Sequence, residues 1–310
     1  MSSTPLVSVV IPAYNCGLYI ALAVQSALDQ DYPHKEIIVV DDGSTDNTLD
    51  ILAEFGERIV VIRQPNSGVA AARNRGMNAA RGALIALLDA DDLWLPGKLR
   101  TQVIYLNAHL ELGAVYCAWR EWRPDADGQF RVPQLGRDET ERDGNDVRDS
   151  GWLYNKLLLD CVIHTTTLLM RREIMERVGA FDHTLRRGQD YDYWFRMSRL
   201  APIHKLNAVL SLYRIHPESI THKPHRANYP CLVIQKALDQ WGRIGPDGTE
   251  TPQSLIDGVQ SRHWFNFGNM HLECGDAQLA YEALVHSIRL RPLRVKAWIN
   301  AARCLAKAKL

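Results

Sequence analysis

The sequence lacks an excess of charge of either sign, because 36 Lys and Arg residues balance 36 Asp and Glu residues over 310 positions. A balanced chain has no overall field that would draw it onto nucleic acid or an anionic membrane, so we expect no nucleic-acid partner and only local binding of charged ligands. The six cysteines include no C-x-x-C pair. This scatter argues against a zinc site or a disulfide framework and favours reduced thiols in the cytoplasm.

Long apolar runs and targeting signals are also missing. No segment approaches the roughly 20 uninterrupted apolar residues of a membrane-spanning helix. The N-terminus has no basic region before its short apolar run, which Pro12 interrupts. That run therefore predicts a strand and not a signal peptide. We expect a cytoplasmic protein that is at most peripheral at the inner face of a membrane.

The hydrophobic residues, 46% of the chain, are arranged over residues 1–110 as short β-branched runs that alternate with helical patterns. Runs without alternating polarity predict strands buried on both faces. The predicted strands are 6–11, 36–40, 58–62 and 83–88, and the predicted helices are 19–30, 47–55 and 68–82. This rhythm predicts an α/β fold with a parallel, doubly wound sheet, in which ligands bind beyond the carboxyl ends of the strands.

After about residue 110 the rhythm changes. A predicted strand at 113–119 leads into a polar segment, rich in Asp, Arg and Gly, that we expect to be a loop up to about residue 151. Strand-like runs at 162–170 and 204–215 then enclose two short helical patterns. From residue 224 the pattern is helical, with a Gly-Asp turn, and resembles a single tetratricopeptide-type hairpin. The predicted organisation is therefore a domain at 1–223, with halves 1–110 and 111–223, and a helical extension at 224–310.

The stretch "ALIALLDADDLWLP", residues 83–96, places three carboxylates at the end of a run that otherwise predicts burial. Asp89 and Asp91 point to the same side of an extended chain, where a hard divalent cation would offset their repulsion. Alternatively, Asp92 caps a helix that begins near Leu95 or Pro96, and the other two carboxylates are solvated. Because D-x-D is a short motif, its spacing leaves both interpretations open.

Two further loops follow predicted strands. Asp41 and Asp42 end the second strand, where a carboxylate could accept a hydrogen bond from a ligand's base or ribose. Ser67 and Gly68 precede a helix whose first amides either meet an anion or only begin a capped helix. No G-x-G-x-x-G fingerprint follows the first strand, which argues against a dinucleotide-dependent dehydrogenase.

Four motifs together carry a family resemblance: "VSVVIPAYN", "IIVVDDGSTDNT", "PNSGVAAARN" and "LLDADD", in this order and at these intervals. They resemble the nucleotide-sugar half of inverting family 2 glycosyltransferases with the GT-A fold, and the resemblance spans roughly residues 5–220. It implies that Asp91 ligates Mn²⁺ or Mg²⁺ and that Asp89 lies near the ribose and the metal. The residues it assigns to the nucleotide sugar are Pro12, Ala13, Tyr14, Asp42, Gly68 and Asp89, with Asp42 accepting from the base.

The catalytic half carries two further elements of the resemblance. "GQDYDYWFR" is similar to the family's acidic pair, which implies that Asp190 is the general base, with Gln189 where the family usually has Glu. "LYRIHPESIT" resembles a later element whose histidine, here His216, can complete the metal shell. Without the resemblance, Asp190 is only a carboxylate favoured by a helix N-terminus. Asp192 and Arg196 predict an ordinary i,i+4 pair, and the neighbouring aromatic residues predict core packing.

The function that follows is transfer of a sugar from a nucleotide diphosphate donor, expected to be a UDP-sugar, to a saccharide or lipid-linked saccharide acceptor in surface polysaccharide synthesis. The sugar expected is a hexose or N-acetylhexosamine. The alternatives are a sugar nucleotidyltransferase and a non-catalytic nucleotide-sugar binding module. The C-terminal helices predict either a peripheral membrane contact or a solvated basic face. Their basic residues are Arg289, Arg291, Arg294, Lys296, Arg303, Lys307 and Lys309.

Overall fold

The computed structural model describes residues 4–217, 219 and 224–308. The chain divides into two compact units. The first comprises Met1–Leu153 with Val162–His216, and the second comprises Tyr154–Cys161 with Pro217–Leu310. Residue 223, where the sequence predicts the end of the first domain, lies outside the described residues.

A mixed sheet forms the centre of the first unit. Among the described residues it has eight strands, in the order β3-β2-β1-β4-β7-β6-β8-β5. The strands are β1 (Val7–Ala13), β2 (Lys35–Asp41), β3 (Val60–Arg63), β4 (Leu84–Leu87), β5 (Leu93–Trp94), β6 (Ala114–Trp122), β7 (Leu168–Arg171) and β8 (Ile203–Arg214). Strand β1 pairs in parallel with β2 and β4, and β2 pairs in parallel with β3, whereas β7 is antiparallel to both β4 and β6. The first half of the sheet is therefore parallel, as predicted, and its carboxyl ends form one edge.

Helices cover the sheet of the first unit. They are α1 (Ile20–Leu28), α2 (Thr48–Ala53), α3 (Val69–Ala79), α4 (Lys98–Ala108), α5 (Arg137–Thr140), α7 (Arg172–Val178) and α8 (Gln189–Ser198). All seven residues of β1 are buried, which explains why its sequence shows no alternation of polarity. Helix α3 lies so close to the sheet that a Cβ on Gly76 would come 2.4 Å from Cγ1 of Val10.

Two predictions for the second half of this unit need correction. The run 162–170 is not a continuous strand, because Thr165–Thr167 form a 3₁₀ turn before β7. The polar segment is not simply a loop, because β6 extends to Trp122, helix α5 follows, and Asn145 forms a β-bridge with Leu206. Polar composition hid this order, because neither a four-residue helix nor a single β-bridge shows a hydrophobic period.

The second unit is helical within its described residues. Its helices are α6 (Tyr154–Leu157), α9 (Tyr229–Trp241), α10 (Gln253–Cys274), α11 (Ala277–Leu290) and α12 (Val295–Ala308). The predicted Gly-Asp turn is present: Gly275 has a left-handed φ of 98°, and the Asp276 carboxylate accepts from the Leu279 amide at 3.0 Å. The Tyr154 hydroxyl donates to the carbonyl of Gly242 at 2.6 Å, which ties the short α6 segment to α9. No helix in the described part of the chain is long and apolar enough to cross a membrane.

Candidate active site

The loops after β1 and β2 are held together at the carboxyl edge of the sheet. The Asp42 amide donates to the carbonyl of Ala13 at 2.8 Å. Asn15, at a positive φ of 47°, accepts from the Thr45 amide at 2.8 Å through its side-chain oxygen. Pro12 is buried within β1, whereas half of the Tyr14 surface is exposed. The two loops therefore form a fixed rim on which Tyr14 is the exposed aromatic side chain.

Asp42 is buried and holds the loop that precedes α3. Its Oδ1 accepts from Gln64 Nε2 at 2.7 Å and from the Ser67 amide at 2.9 Å, and its Oδ2 accepts from the Gly68 amide at 2.8 Å. Gly68 is the N-cap of α3, and Asp42 binds the amides of Ser67 and Gly68 just before the helix begins. Asp42 therefore fixes the Ser67–Gly68 turn, and the expectation that the first amides of α3 meet an anion stays a prediction.

Asp89 forms an ion pair with a residue that the sequence interpretation missed. Arg73, in α3, is 4% exposed, and its Nη2 donates to Asp89 Oδ1 at 2.7 Å. Burial raises the pKa of Asp89, and Arg73 partly offsets that rise. The Arg73 Nε and Nη1 atoms are buried and have no hydrogen-bond partner in the described part of the chain. These two buried donors are unsatisfied within the described residues, which is unusual for a guanidinium.

Asp91 and His216 meet although 125 positions separate them in the sequence. Their Oδ2 and Nε2 atoms lie 3.0 Å apart, and the His216 ring packs 4.7 Å from the ring of Tyr19. The other ring nitrogen of His216, Nδ1, is buried and has no partner among the described residues. A carboxylate oxygen beside an imidazole nitrogen is a donor set that suits Mn²⁺ and can also bind Mg²⁺. The described residues contain no group of three or more such side chains, so a ligand and water would have to complete the shell.

Asp92 does not begin a helix, and that alternative is wrong. Helix α4 starts at Lys98 behind Gly97, which has a φ of 84°, whereas Asp92 is 1% exposed. Its Oδ2 accepts from the Thr166 hydroxyl at 2.5 Å, and its Oδ1 accepts from the Arg214 amide at 2.9 Å. Burial raises the pKa of Asp92 well above its ordinary value, and Asp91 and Asp89 add to the rise. Asp92 therefore holds the loop after β4 in place through hydrogen bonds within the protein.

Thr166 and Arg214 complete the frame of this loop. The Thr166 hydroxyl also accepts from the Asp89 amide at 3.2 Å. Arg214 donates from Nε to the Asp91 carbonyl at 2.6 Å, and its guanidinium lies 3.9 Å from the ring centroid of Trp122. Burial lowers the pKa of Arg214, and Asp91 acts in the opposite direction. From the sequence, Arg214 could have been identified only through the motif that contains His216. No local sequence pattern identifies Thr166.

Asp190 opens helix α8 behind Gly188, whose φ of 71° requires glycine-like freedom. Its Oδ1 accepts from the Tyr191 amide at 2.8 Å. Burial lowers the pKa of the Arg73 guanidinium, whereas the nearby Asp89 and Asp190 carboxylates raise it. Asp190 therefore lies near the Arg73–Asp89 pair. We use the word crevice for the region at the carboxyl edge of the sheet that contains Arg73, Asp89, Asp91, Asp190 and His216.

The neighbours of Asp190 include one unexplained atom. Gln189 is 7% exposed, and its Oε1 is buried with no hydrogen-bond partner within the described residues. The predicted pair of Asp192 with Arg196 is present at 2.9 Å. The predicted aromatic core is also confirmed, because four side chains of α8 are at most 5% exposed: Tyr191, Tyr193, Trp194 and Phe195.

The crevice thus combines three chemical capacities. Asp91 and His216 can bind a divalent cation, Arg73 supplies a buried positive charge beside Asp89, and Asp190 can accept a proton at a separate position. A cation with a nearby guanidinium stabilises a departing anionic group, and a carboxylate activates a hydroxyl nucleophile.

Comparison with known proteins identifies the family of the chain. The family model described as Glycosyl transferase family 2 matches residues 8–179, more than half of the chain. The putative teichuronic acid biosynthesis glycosyltransferase TuaG of Bacillus subtilis is 32% identical over 241 residues, covering 76% of this chain and 89% of TuaG. Two other curated matches are longer proteins, of which the chain spans 37%.

Solved structures resemble the fold. TarS of S. aureus, residues 1–349 in complex with UDP, has a TM-score of 0.65 at 19% identity, covering 97% of this chain and 88% of TarS. The mannosyltransferase PcManGT of Pyrobaculum calidifontis, in complex with GDP-Man and Mn²⁺, has a TM-score of 0.59 at 21% identity, covering 98% and 81%. The expected GT-A fold with a helical C-terminal region is confirmed.

Proposed function

Because the chain belongs to glycosyl transferase family 2, we propose that it is a metal-dependent inverting enzyme that transfers one sugar from a UDP-sugar to a saccharide or lipid-linked saccharide acceptor. The observation that carries this proposal is the crevice itself. The proposal is supported by the Asp91–His216 and Arg73–Asp89 pairs, which share the loop after β4, and by the proximity of Asp190, at the start of α8, to Arg73.

The donor is proposed to bind along the carboxyl ends of β1, β2 and β4. Ala13, Tyr14 and Asp42 would contact the base, and Asp42 still has an acceptor position on Oδ2, which receives one hydrogen bond. Gly68 would lie beside the donor where α3 begins. The UDP complex of TarS supports UDP as the nucleotide. Release of UDP from a hexose or N-acetylhexosamine donor is the specific form of this proposal.

The metal proposal assigns Mn²⁺ or Mg²⁺ to Asp91 and His216, with Asp89 beside them. The 3.0 Å approach of His216 Nε2 to Asp91 Oδ2 supports a mixed oxygen and nitrogen site. The Mn²⁺ complex of PcManGT supports the choice of ion. When bound, the ion would supply positive charge against the diphosphate leaving group.

Asp190 is proposed to act on the acceptor. Its carboxylate takes the proton from an acceptor hydroxyl, while the oxygen of that hydroxyl forms a bond to the anomeric carbon of the donor. The bond from that carbon to the diphosphate oxygen breaks, and its electron pair leaves with the nucleotide. Attack from the face opposite the leaving group inverts the anomeric configuration. Arg73 would hold Asp89 in place through their ion pair, and its positive charge would stabilise the departing diphosphate.

The biological context proposed is surface polysaccharide synthesis in the cytoplasm. The name of TuaG supports a cell-wall polysaccharide acceptor.

The decisive experiment compares Asp190→Asn with the unchanged protein. The substitution removes the proton acceptor but keeps the shape, so transfer of radiolabelled sugar to a saccharide acceptor should fall by about 10²- to 10⁴-fold. Stabilisation against heat by UDP with Mn²⁺ should persist, because ligand binding to the folded state does not require the base.

Asp239→Asn, an exposed carboxylate of α9, is the control and should transfer normally. Full transfer by Asp190→Asn would contradict the role of Asp190. Release of pyrophosphate in place of UDP would indicate a nucleotidyltransferase. If Mn²⁺ does not strengthen UDP binding and no donor is turned over, the result would support a non-catalytic binding module.

A further inference from the structure

Helix α12 has two apolar faces, of which only one is covered. Ala297, Ala301 and Cys304 are buried against residues of α10 and α11, including Leu272 and Leu284. These three positions recur at helical spacing and account for the packing of α12 within the second unit. They leave the opposite side of the helix facing outward.

That outward face carries large apolar side chains. Val295 is 66% exposed, Trp298 is 56% exposed, Ile299 is 55% exposed and Leu305 is 49% exposed. At 100° per residue these four positions fall within one stripe of about a third of the helix circumference. Leu293, just before the helix, is 94% exposed. We name these five residues the outer face of α12.

The sequence around the outer face of α12 is basic, unlike the chain as a whole. Residues 283–310 contain seven Lys and Arg residues and no Asp or Glu, although the whole chain is neutral. Lys296 and Arg303 are exposed and seven positions apart, so they lie on the same flank of the stripe. Lys309 lies outside the described residues. An apolar stripe with a basic flank and a tryptophan is typical of a helix that lies at a lipid interface.

From this combination we propose that the outer face of α12 docks on an anionic lipid surface. The helix has 14 residues and is therefore about 21 Å long, shorter than the roughly 30 Å hydrocarbon core, so it lies in the plane of the interface and does not span it. The apolar stripe enters the acyl boundary, while Lys296 and Arg303 contact the anionic headgroups.

A second copy of the chain fits the same face less well. Pairing two outer faces would bring together two basic segments that contain no acidic residue between 283 and 310. Like charges would oppose that contact, whereas an anionic surface would attract both. The docking proposal is independent of the proposed reaction, because every residue that carries it belongs to the second unit.

The test is flotation of the full chain with vesicles of phosphatidylcholine, with and without phosphatidylglycerol. We expect binding only to the anionic vesicles and release by salt. Val295→Gln with Ile299→Gln should reduce bound protein at least tenfold. Lys296→Gln with Arg303→Gln should weaken binding about 30-fold, since each basic residue near an anionic surface contributes about fivefold.

The matched control is Ile104→Gln on α4, which removes an isoleucine that is 64% exposed and should leave vesicle binding unchanged. Unfolding temperature of every variant confirms that it is folded. Equal binding to neutral and anionic vesicles, or no binding to either, would overturn the proposal. So would a dimer in analytical ultracentrifugation that the Val295→Gln, Ile299→Gln variant abolishes while vesicle binding stays unchanged.

Discussion

The crevice and helix α12 break the usual rule of burial in opposite directions. In the crevice, charged side chains are inside: Arg73 is 4% exposed and Asp92 is 1% exposed. On α12, large apolar side chains are outside, as with Trp298 and Ile299. A buried charge costs free energy unless it is paired, and an exposed apolar stripe costs free energy unless something covers it. Each exception therefore indicates binding, of a polar ligand in the first region and of an apolar surface in the second.

The largest effect should come from breaking the charge balance of the crevice. Arg73→Met leaves Asp89 without its partner, and the loss of a buried ion-pair partner costs about 3 kcal/mol. Transfer should fall by about 10³-fold because the buried positive charge beside Asp89 disappears as well. Arg75→Met is the control, since Arg75 lies two residues further along α3 and is exposed. Initial rates of transfer measure the loss of activity, and urea unfolding measures the loss of stability. Equal losses in the Arg73→Met and Arg75→Met proteins would contradict a special role for Arg73.

Lys98 is a buried charged side chain outside the crevice and has no proposed ligand. We therefore expect its burial only to lower the stability of the protein. It is fully buried, its Nζ donates to Gln102 Oε1 at 2.8 Å, and burial lowers its pKa from 10.5 to about 8. Between pH 8 and 10.5 the unfolded chain binds more protons than the folded chain, so this residue makes stability rise with pH across that window. Lys98→Met should stabilise the protein by about 1–3 kcal/mol at pH 7 and flatten the pH dependence.

Urea unfolding at pH 7 and pH 9 measures the Lys98 effect. The control is Arg100→Met, a side chain on the same helix that is 60% exposed and should change stability by less than about 0.5 kcal/mol. Destabilisation of the Lys98→Met protein at both pH values would show that the fold requires this ammonium group. Burial of charge would then no longer distinguish the crevice from the rest of the unit.

Thr166→Val should have a smaller effect inside the crevice. The change keeps the shape of the side chain but leaves Asp92 Oδ2 and the Asp89 amide without their shared hydroxyl. We expect a loss of about 1–3 kcal/mol in the free energy of unfolding, together with a loss of transfer through misplacement of Asp89. Thr101→Val, at an exposed position, serves as the control. Unchanged stability with the valine would mean that Asp92 needs no partner there.

The smallest effect should be found on α12. Ile299→Gln should change stability by less than about 0.5 kcal/mol, because its side chain is 55% exposed and covers nothing in the isolated chain. Ala301→Gln on the covered face should destabilise by about 1–3 kcal/mol, because it adds volume and a polar group where the exposure is 6%. Thermal unfolding of both variants compares the two faces directly. Equal destabilisation would show that the outer face is covered within the chain.

The sequence predicted the parallel strands well because burial on both faces removes any alternation of polarity. Strand β1 is an example, since each of its residues is buried. Strand β5 was missed because two residues carry no period, and Leu93 is specified by its pairing with Leu212 far along the chain. The 3₁₀ turn of Thr165–Thr167 was missed because threonine is typical of strands and only tertiary contacts select the turn.

For the site, family resemblance supplied what spacing could not. No local rule brings Asp91 to His216 across 125 positions, and only the motifs indicated the pair. Asp92 was open to a wrong interpretation because a carboxylate just before a helix has the same local pattern as a cap, whether it is buried or solvated. Arg73 was overlooked because one arginine in a helix carries no sign of its partner. The assignments of Asp190 and Asp42 to their roles stay predictions.

The short segment Tyr154–Cys161 lies between two parts of the first unit but belongs to the second. Tyr154, Leu157 and Leu158 are fully buried, and the Tyr154 hydroxyl is bonded to Gly242. The two units are consequently interleaved along the chain, and neither corresponds to one continuous stretch of residues. A gene fragment ending near residue 217 would encode the whole first unit and also an apolar segment deprived of its partners. Exchange of this helical extension between proteins would require the internal segment to be exchanged with it.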